Sequence, residues 1–161
     1  MARVVEELAA ALLARGWMLA TAESCTGGLI AGACTDLAGS SNWFERGFVS
    51  YSNAAKTELL GVDAAVIARH GAVSEPVARA MAQGALQCSK AQCALAVTGI
   101  AGPGGASAEK PVGLVWFAWA TPDGVHSASQ RFDGDRAQVR SATVHHSLTV
   151  MLGLVNAARA D

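Results

Sequence analysis

The sequence predicts an α/β fold, a single three-layer α/β/α sandwich with a mixed β-sheet. Three observations predict it. Short apolar strands alternate with helical periodicity over the first two-thirds of the chain, a turn signature then joins two late strands as a hairpin, and a helical segment closes the chain. Strands separated by helices run parallel, and a hairpin adds antiparallel pairing, so the sheet is mixed. The 161 residues suit one domain, read here as 1–161. A chain of this length buries about two-thirds of the surface that it exposes when unfolded, enough for one core without staples.

The elements follow in order. Val4, Val5, Leu8, Leu12 and Leu13 recur at helical spacing, which predicts an amphipathic helix over 2–15 ending near Gly16. Residues 17–21 are short and apolar and read as a strand. Residues 24–28 make a turn, and a helix of small residues, able to lie close to its neighbours, follows over about 29–37. The chain breaks at 39–42, and 47–51 read as a second strand. Helices are expected at 53–60 and 64–70. Ser74 suits an N-cap, and Pro76 fits the first turn of a helix running to about Ser89. Residues 93–97 form a buried strand that enters a glycine-rich loop at 98–105. Residues 112–120 and 125–132 are strands joined by the turn Thr121-Pro-Asp-Gly124. Asp133 or Asp135 caps the last helix, which runs to about Ala158.

Composition narrows the function. Hydrophobic residues make up 52% of the chain, charged residues 16%, and the net charge is −1. That balance describes an apolar globular domain without the basic footprint of a nucleic-acid or anionic-membrane partner. No apolar stretch is long enough to span a membrane, and the first eight residues carry Arg3, Glu6 and Glu7 where a secretory signal would be apolar. The four cysteines have no metal-site spacing, and none of the four histidines has one either, so no metal is expected. Cys34, Cys88 and Cys93 read as buried small hydrophobes, and a reducing, cytoplasmic setting fits. Lysine and tyrosine are scarce: Lys56, Lys90, Lys110 and Tyr51 are all there are. Chemistry that needs either has few candidates.

Three segments could carry chemistry. Thr21-Ala-Glu-Ser-Cys-Thr-Gly-Gly28 lies where a strand hands over to a helix, a place that presents unpaired N–H groups. A hydroxyl or thiol there can attack a carbonyl while those N–H groups hold the oxyanion. The alternative is that Ser24 only caps the helix. Tyr51-Ser-Asn-Ala-Ala-Lys56 brings a tyrosine and a lysine together after a short strand. A lysine serves as a base once burial lowers its pKa; the alternative is a surface lysine beside a half-buried tyrosine. Thr98-Gly-Ile-Ala-Gly-Pro-Gly-Gly105 is a loop able to cradle a phosphate or a sugar edge, or a plain flexible turn. It is neither a Walker loop nor a dinucleotide fingerprint. Ser107-Ala-Glu-Lys110 matches the short S-x-x-K string of acyl enzymes, but it sits in a loop.

Taken together, these strings resemble the C-terminal domain of the CinA family, which includes the stand-alone nicotinamide-nucleotide amidohydrolases of bacteria. Gly39-Ser-Ser-Asn-Trp-Phe-Glu-Arg-Gly47, His70-Gly-Ala-Val-Ser-Glu-Pro76 and Lys110-Pro-Val-Gly113 extend the resemblance, in order, over nearly the whole chain. The resemblance implies hydrolysis of the carboxamide of nicotinamide mononucleotide to nicotinate mononucleotide and ammonia, without a metal or other cofactor. It makes Ser24 the nucleophile, Lys56 its base and Tyr51 a catalytic partner. Cys25, Thr26, Gly27 and Gly28 are expected to bind substrate through the oxyanion, and Thr98, Gly99, Gly102, Gly104 and Gly105 to hold the rest of the nucleotide. The implied partner is a small nucleotide, with neither nucleic acid nor membrane, and a homo-oligomer is expected. Two positions depart from the family pattern. Ala106 stands where a glycine is usual, which would be strained at positive φ, and Leu114 replaces a common threonine. Three rivals remain: Cys25 as nucleophile with a histidine, a catalytically silent binding module, and a purely structural subunit.

Overall fold

The computed structural model describes residues 1–159, so the last two residues of the expected domain lie outside the described residues. The elements are α1 (Ala2–Arg15), β1 (Leu19–Glu23), α2 (Leu29–Thr35), β2 (Phe44–Val49), α3 (Asn53–Leu60), α4 (Ala64–His70), α5 (Glu75–Gln87), β3 (Cys93–Gly99), β4 (Leu114–Thr121), β5 (Gly124–Arg131) and α6 (Arg136–Ala157). The five strands form one sheet in the order β2-β1-β3-β4-β5. The first three are parallel; β4 and β5 are antiparallel to their neighbours. The mixed sheet and the three layers are as the sequence predicts.

All five strands differ from expectation in their bounds: β3 runs on to Gly99, β4 is 114–121 rather than 112–120 and β5 is 124–131 rather than 125–132, while β1 and β2 shift further, for local reasons. Trp17 is not in β1, because its N–H closes the end of α1 on the Leu12 carbonyl behind the left-handed Gly16. The strand therefore starts at Leu19 and runs on to Glu23. The second strand is 44–49 rather than 47–51, since Ser50 makes the last contact, its N–H donating to the Glu23 carbonyl, and the chain then leaves the sheet. Ser74 stands at the N-cap position of α5, yet its hydroxyl donates to the Gly71 carbonyl (2.8 Å) instead of capping. Asp135, not Asp133, caps α6, with a reciprocal bond from Gln138.

The strands alternate large and small, and this decides the layers. Cys93, Leu95, Val97, Val115, Phe117 and Trp119 face one side, where α1, α2 and α6 pack. Ala20, Ala22, Ala94, Ala96, Ala118 and Ala120 face the other, where α5 packs with α3 and α4. An alanine face lets a helix lie close, and α5 answers with its own small residues Ala78, Ala82 and Ala85. Its Gly84 is required: a Cβ there would stand 2.0 Å from the Leu60 carbonyl oxygen at the end of α3. Trp43 and Trp119 are buried in the core. Cys34 and Cys93 are buried as expected, but Cys88 is exposed, because it follows the last turn of α5 rather than facing the sheet.

This topology puts the loops that matter at one end. The chain goes from β1 through α2 to β2 on one face, then back past β1 through α3, α4 and α5 to β3 on the other. At the carboxyl end of β1 the connections therefore part to opposite faces, which opens a crevice. The loop from β3 to β4 and the start of α6 reach the same end, since Gly99 pairs with Val115 and Arg131 with Leu114.

Candidate active site

The crevice is a cleft of about 200 Å³ lined by Ser24 and Cys25 after β1, Tyr51, Asn53 and Lys56 after β2, Ala72 and Val73 before α5, Thr98, Gly99 and Ala101 at the end of β3, and Arg136. Ser24 and Lys56, 32 residues apart, meet at 3.0 Å between Nζ and Oγ. Lys56 is 1% exposed. Its Nζ also donates to the carbonyls of Ser50 (3.0 Å) and Tyr51 (3.1 Å). Burial pushes its pKa below the usual lysine range and outweighs the opposing influence of the nearby Cys25. No carboxylate bonds it among the described residues. A neutral lysine suits this geometry: two N–H groups go to the two carbonyls, and the lone pair is left for the Ser24 hydroxyl proton.

A second buried group holds the turn that carries Ser24. Glu23, fully buried, accepts from Thr26 Oγ1 (2.6 Å) and the Ile30 N–H (2.8 Å) on one oxygen, and from the Ala31 N–H (2.9 Å) on the other. It thus caps α2, whose N-cap position is held by Gly28 and has no side chain to offer. From the other side, Arg140 of α6 donates Nε to the Cys25 carbonyl (3.1 Å) and Nη2 to the Thr26 carbonyl (3.0 Å). The Ser24 carbonyl accepts from the Gly27 N–H. With the Ser24 and Cys25 carbonyls held, the planar peptide aims the Cys25 and Thr26 N–H groups the opposite way. Among the described residues neither has a backbone or side-chain oxygen to bond.

Of the residues expected to bind substrate, Cys25, Thr98 and Gly99 line the cleft. Thr26, Gly27 and Gly28 form the turn behind it. Gly102, Gly104 and Gly105 lie outside the cleft lining, although the Gly102 carbonyl accepts from Arg136 Nη1 (2.8 Å). The Thr98 hydroxyl is occupied, donating to the Ala72 carbonyl (2.8 Å). Tyr51 is exposed, and its hydroxyl accepts from Arg136 Nη2 (3.1 Å). Lys110 is tied to the His70 carbonyl and takes no place in the cleft. Ala106 is unstrained, since among the described residues positive φ occurs only at glycines; Gly102 (+84°) and Gly105 (+86°) make the loop's left-handed steps. Among the described residues no histidine lines the cleft. Burial raises the Cys25 thiol to about 11, so it is protonated at neutral pH. Glu23, Asn53, Arg136 and Arg140 are site residues that the sequence reading missed. Glu23 and Asn53 lie inside strings already singled out; the arginines had no local signal.

The cleft thus defines an α/β/α domain with a buried serine–lysine pair at the carboxyl end of its parallel strands. Residues 1–155 match the CinA C-terminal domain, and the chain belongs to that family. It is 58% identical to the nicotinamide-nucleotide amidohydrolase PncC of Enterobacter agglomerans, over 91% of this chain and 90% of that protein. It is 52% identical to PncC of Escherichia coli K12, over 91% and 89%. Among solved structures it resembles the competence damage-inducible protein A of Klebsiella pneumoniae, with a TM-score of 0.95 at 37% identity, covering 98% of both chains. It also resembles the competence/damage inducible protein CihA of Agrobacterium tumefaciens, with a TM-score of 0.87 at 51% identity, covering 95% of this chain and 96% of that one.

Proposed function

We propose that this chain hydrolyses the carboxamide of nicotinamide mononucleotide, giving nicotinate mononucleotide and ammonia, through Ser24 and Lys56. The single observation that carries the mechanism is the 3.0 Å contact between Ser24 and a buried lysine with no carboxylate partner. The substrate comes from the names of relatives more than half identical over nine-tenths of the chain. Neutral Lys56 takes the Ser24 proton as Oγ bonds to the carboxamide carbon, and the carbonyl electrons move to oxygen. The Cys25 N–H, in the wall of the cleft, supplies a donor for that oxyanion. The C–N bond then breaks as the nitrogen takes a proton from the Lys56 ammonium, and ammonia leaves. Water attacks the acyl ester, its proton passing through Lys56, and Ser24 is restored. In this reading the protein recycles pyridine nucleotide in the cytoplasm, consistent with its free thiols, and acts without nucleic acid or membrane. No helix among the described residues is long and apolar enough to cross a membrane. We take it to be a homo-oligomer, consistent with the exposed Leu29, Val49 and Leu59.

Ammonia release from nicotinamide mononucleotide tests the reading. Wild type is expected to release it, and folded Ser24→Ala and Lys56→Arg variants to lose release, since arginine keeps its proton. Release that survives in Ser24→Ala removes the serine. No release by folded wild type removes the substrate and favours the silent binding module.

A further inference from the structure

A mononucleotide carries a phosphate dianion at the end opposite its carboxamide, and the deep end of the cleft is taken by the serine–lysine pair. Among the described residues two basic side chains line the cleft, Lys56 and Arg136. Lys56 is buried, and its Nζ is already engaged by Ser24 and two carbonyls. Arg140 spends its guanidinium on the carbonyls of the nucleophile turn, and Lys110 spends its ammonium on His70. Arg136 differs. It is exposed, and of its five N–H groups one bonds the Gly102 carbonyl and one the Tyr51 hydroxyl, which leaves three. Among the described residues no carboxylate lines the cleft to neutralise it. Tyr51 sets the spacing, since its carbonyl meets Lys56 and its hydroxyl meets Arg136. The guanidinium therefore stands one tyrosine side chain away from the reacting pair, at the mouth.

We infer that Arg136 binds the phosphomonoester of the substrate and so makes the cleft select a pyridine nucleotide over the corresponding nucleoside. This rests on the amidohydrolase reading above. A guanidinium matches phosphate with paired charge-assisted donors. The glycine-rich loop then serves a different part than cradling the phosphate: the Gly102 carbonyl, which would repel an anion, aims the arginine.

The test uses Ser24→Ala protein, which binds without turnover, alone and combined with Arg136→Gln. Calorimetry gives dissociation constants for nicotinamide mononucleotide and for nicotinamide riboside. The expected preference for the nucleotide is about tenfold or more, as a charge-assisted pair supplies, and Arg136→Gln brings the two ligands to within about threefold by weakening the nucleotide alone. A preference that survives the substitution, or an equal loss for both ligands, overturns the inference. If wild type meanwhile releases ammonia from the mononucleotide, the activity stands and only the role of Arg136 falls. Absence of both release and binding removes the activity itself, and with it this inference.

Discussion

Glu23→Gln separates what the buried carboxylate does from the space that it fills. The change keeps shape and volume. One amide oxygen can still accept from Thr26 and Ile30, which share Oε1 of Glu23. The amide nitrogen then faces the Ala31 N–H, donor against donor, where a carboxylate oxygen now accepts at 2.9 Å. One charge-assisted hydrogen bond is lost, one helix N–H is orphaned, and two remaining bonds lose their charge. At about 1.5–3 kcal/mol for the lost bond and fractions of that for the others, the total is about 3 kcal/mol. For a chain near 161 residues this lowers Tm by roughly 6–12 °C. Calorimetric melting of wild type and variant measures it, with Thr35→Ala, on an exposed hydroxyl at the far end of the same helix, as a control expected to move Tm little. Because the turn carries Ser24, kcat is expected to fall while KM changes less. A Glu23→Gln protein that melts within about 2 °C of wild type refutes the account, as it would mean that the helix start does not depend on the carboxylate.

Four other outcomes are expected. Since burial lowers the Lys56 pKa, kcat/KM falls as pH drops through that lowered value, with a midpoint below the ordinary lysine range. In the window between the lowered and the ordinary pKa the unfolded chain binds a proton that the native protein lacks, so stability rises with pH there, and Lys56→Met loses that slope in urea titrations. Alkylation of native protein at neutral pH labels Cys88, which is exposed, and spares Cys25, Cys34 and Cys93, whose thiols burial pushes up to about 11, 12 and 12; peptide mass mapping reads this, and rapid labelling of Cys25 would contradict the buried site. Gly84→Ala, which by helix propensity alone would stabilise by about 1 kcal/mol, lowers stability by about 1–3 kcal/mol, because its Cβ would meet the Leu60 carbonyl at 2.0 Å; an unchanged or higher Tm would dismiss the close crossing of α3 and α5.

The sequence by itself determined the architecture and the chemistry's parts list. Helical and alternating periodicities are local, so α1, α3 and α4 could be read to their ends, and the Thr121–Gly124 turn declared the antiparallel hairpin. Residue types with special chemistry at strand ends marked Ser24, Tyr51 and Lys56. Tertiary structure alone decided which of these meet. Strand order puts β1 between β2 and β3, and only that neighbourhood brings Lys56 to Ser24. Strand limits moved because pairing partners, not apolar runs, end a strand: Trp17 was claimed by the close of α1, and the chain leaves the sheet once the Ser50 N–H has met the Glu23 carbonyl. Arg136 and Arg140 were invisible because they lie more than 100 residues from the Ser24 turn, on a helix whose own pattern gives no hint of it. A helix face is written in neighbouring residues, but the meeting of a guanidinium with a distant carbonyl depends on how whole layers pack, and that is a property of the folded chain.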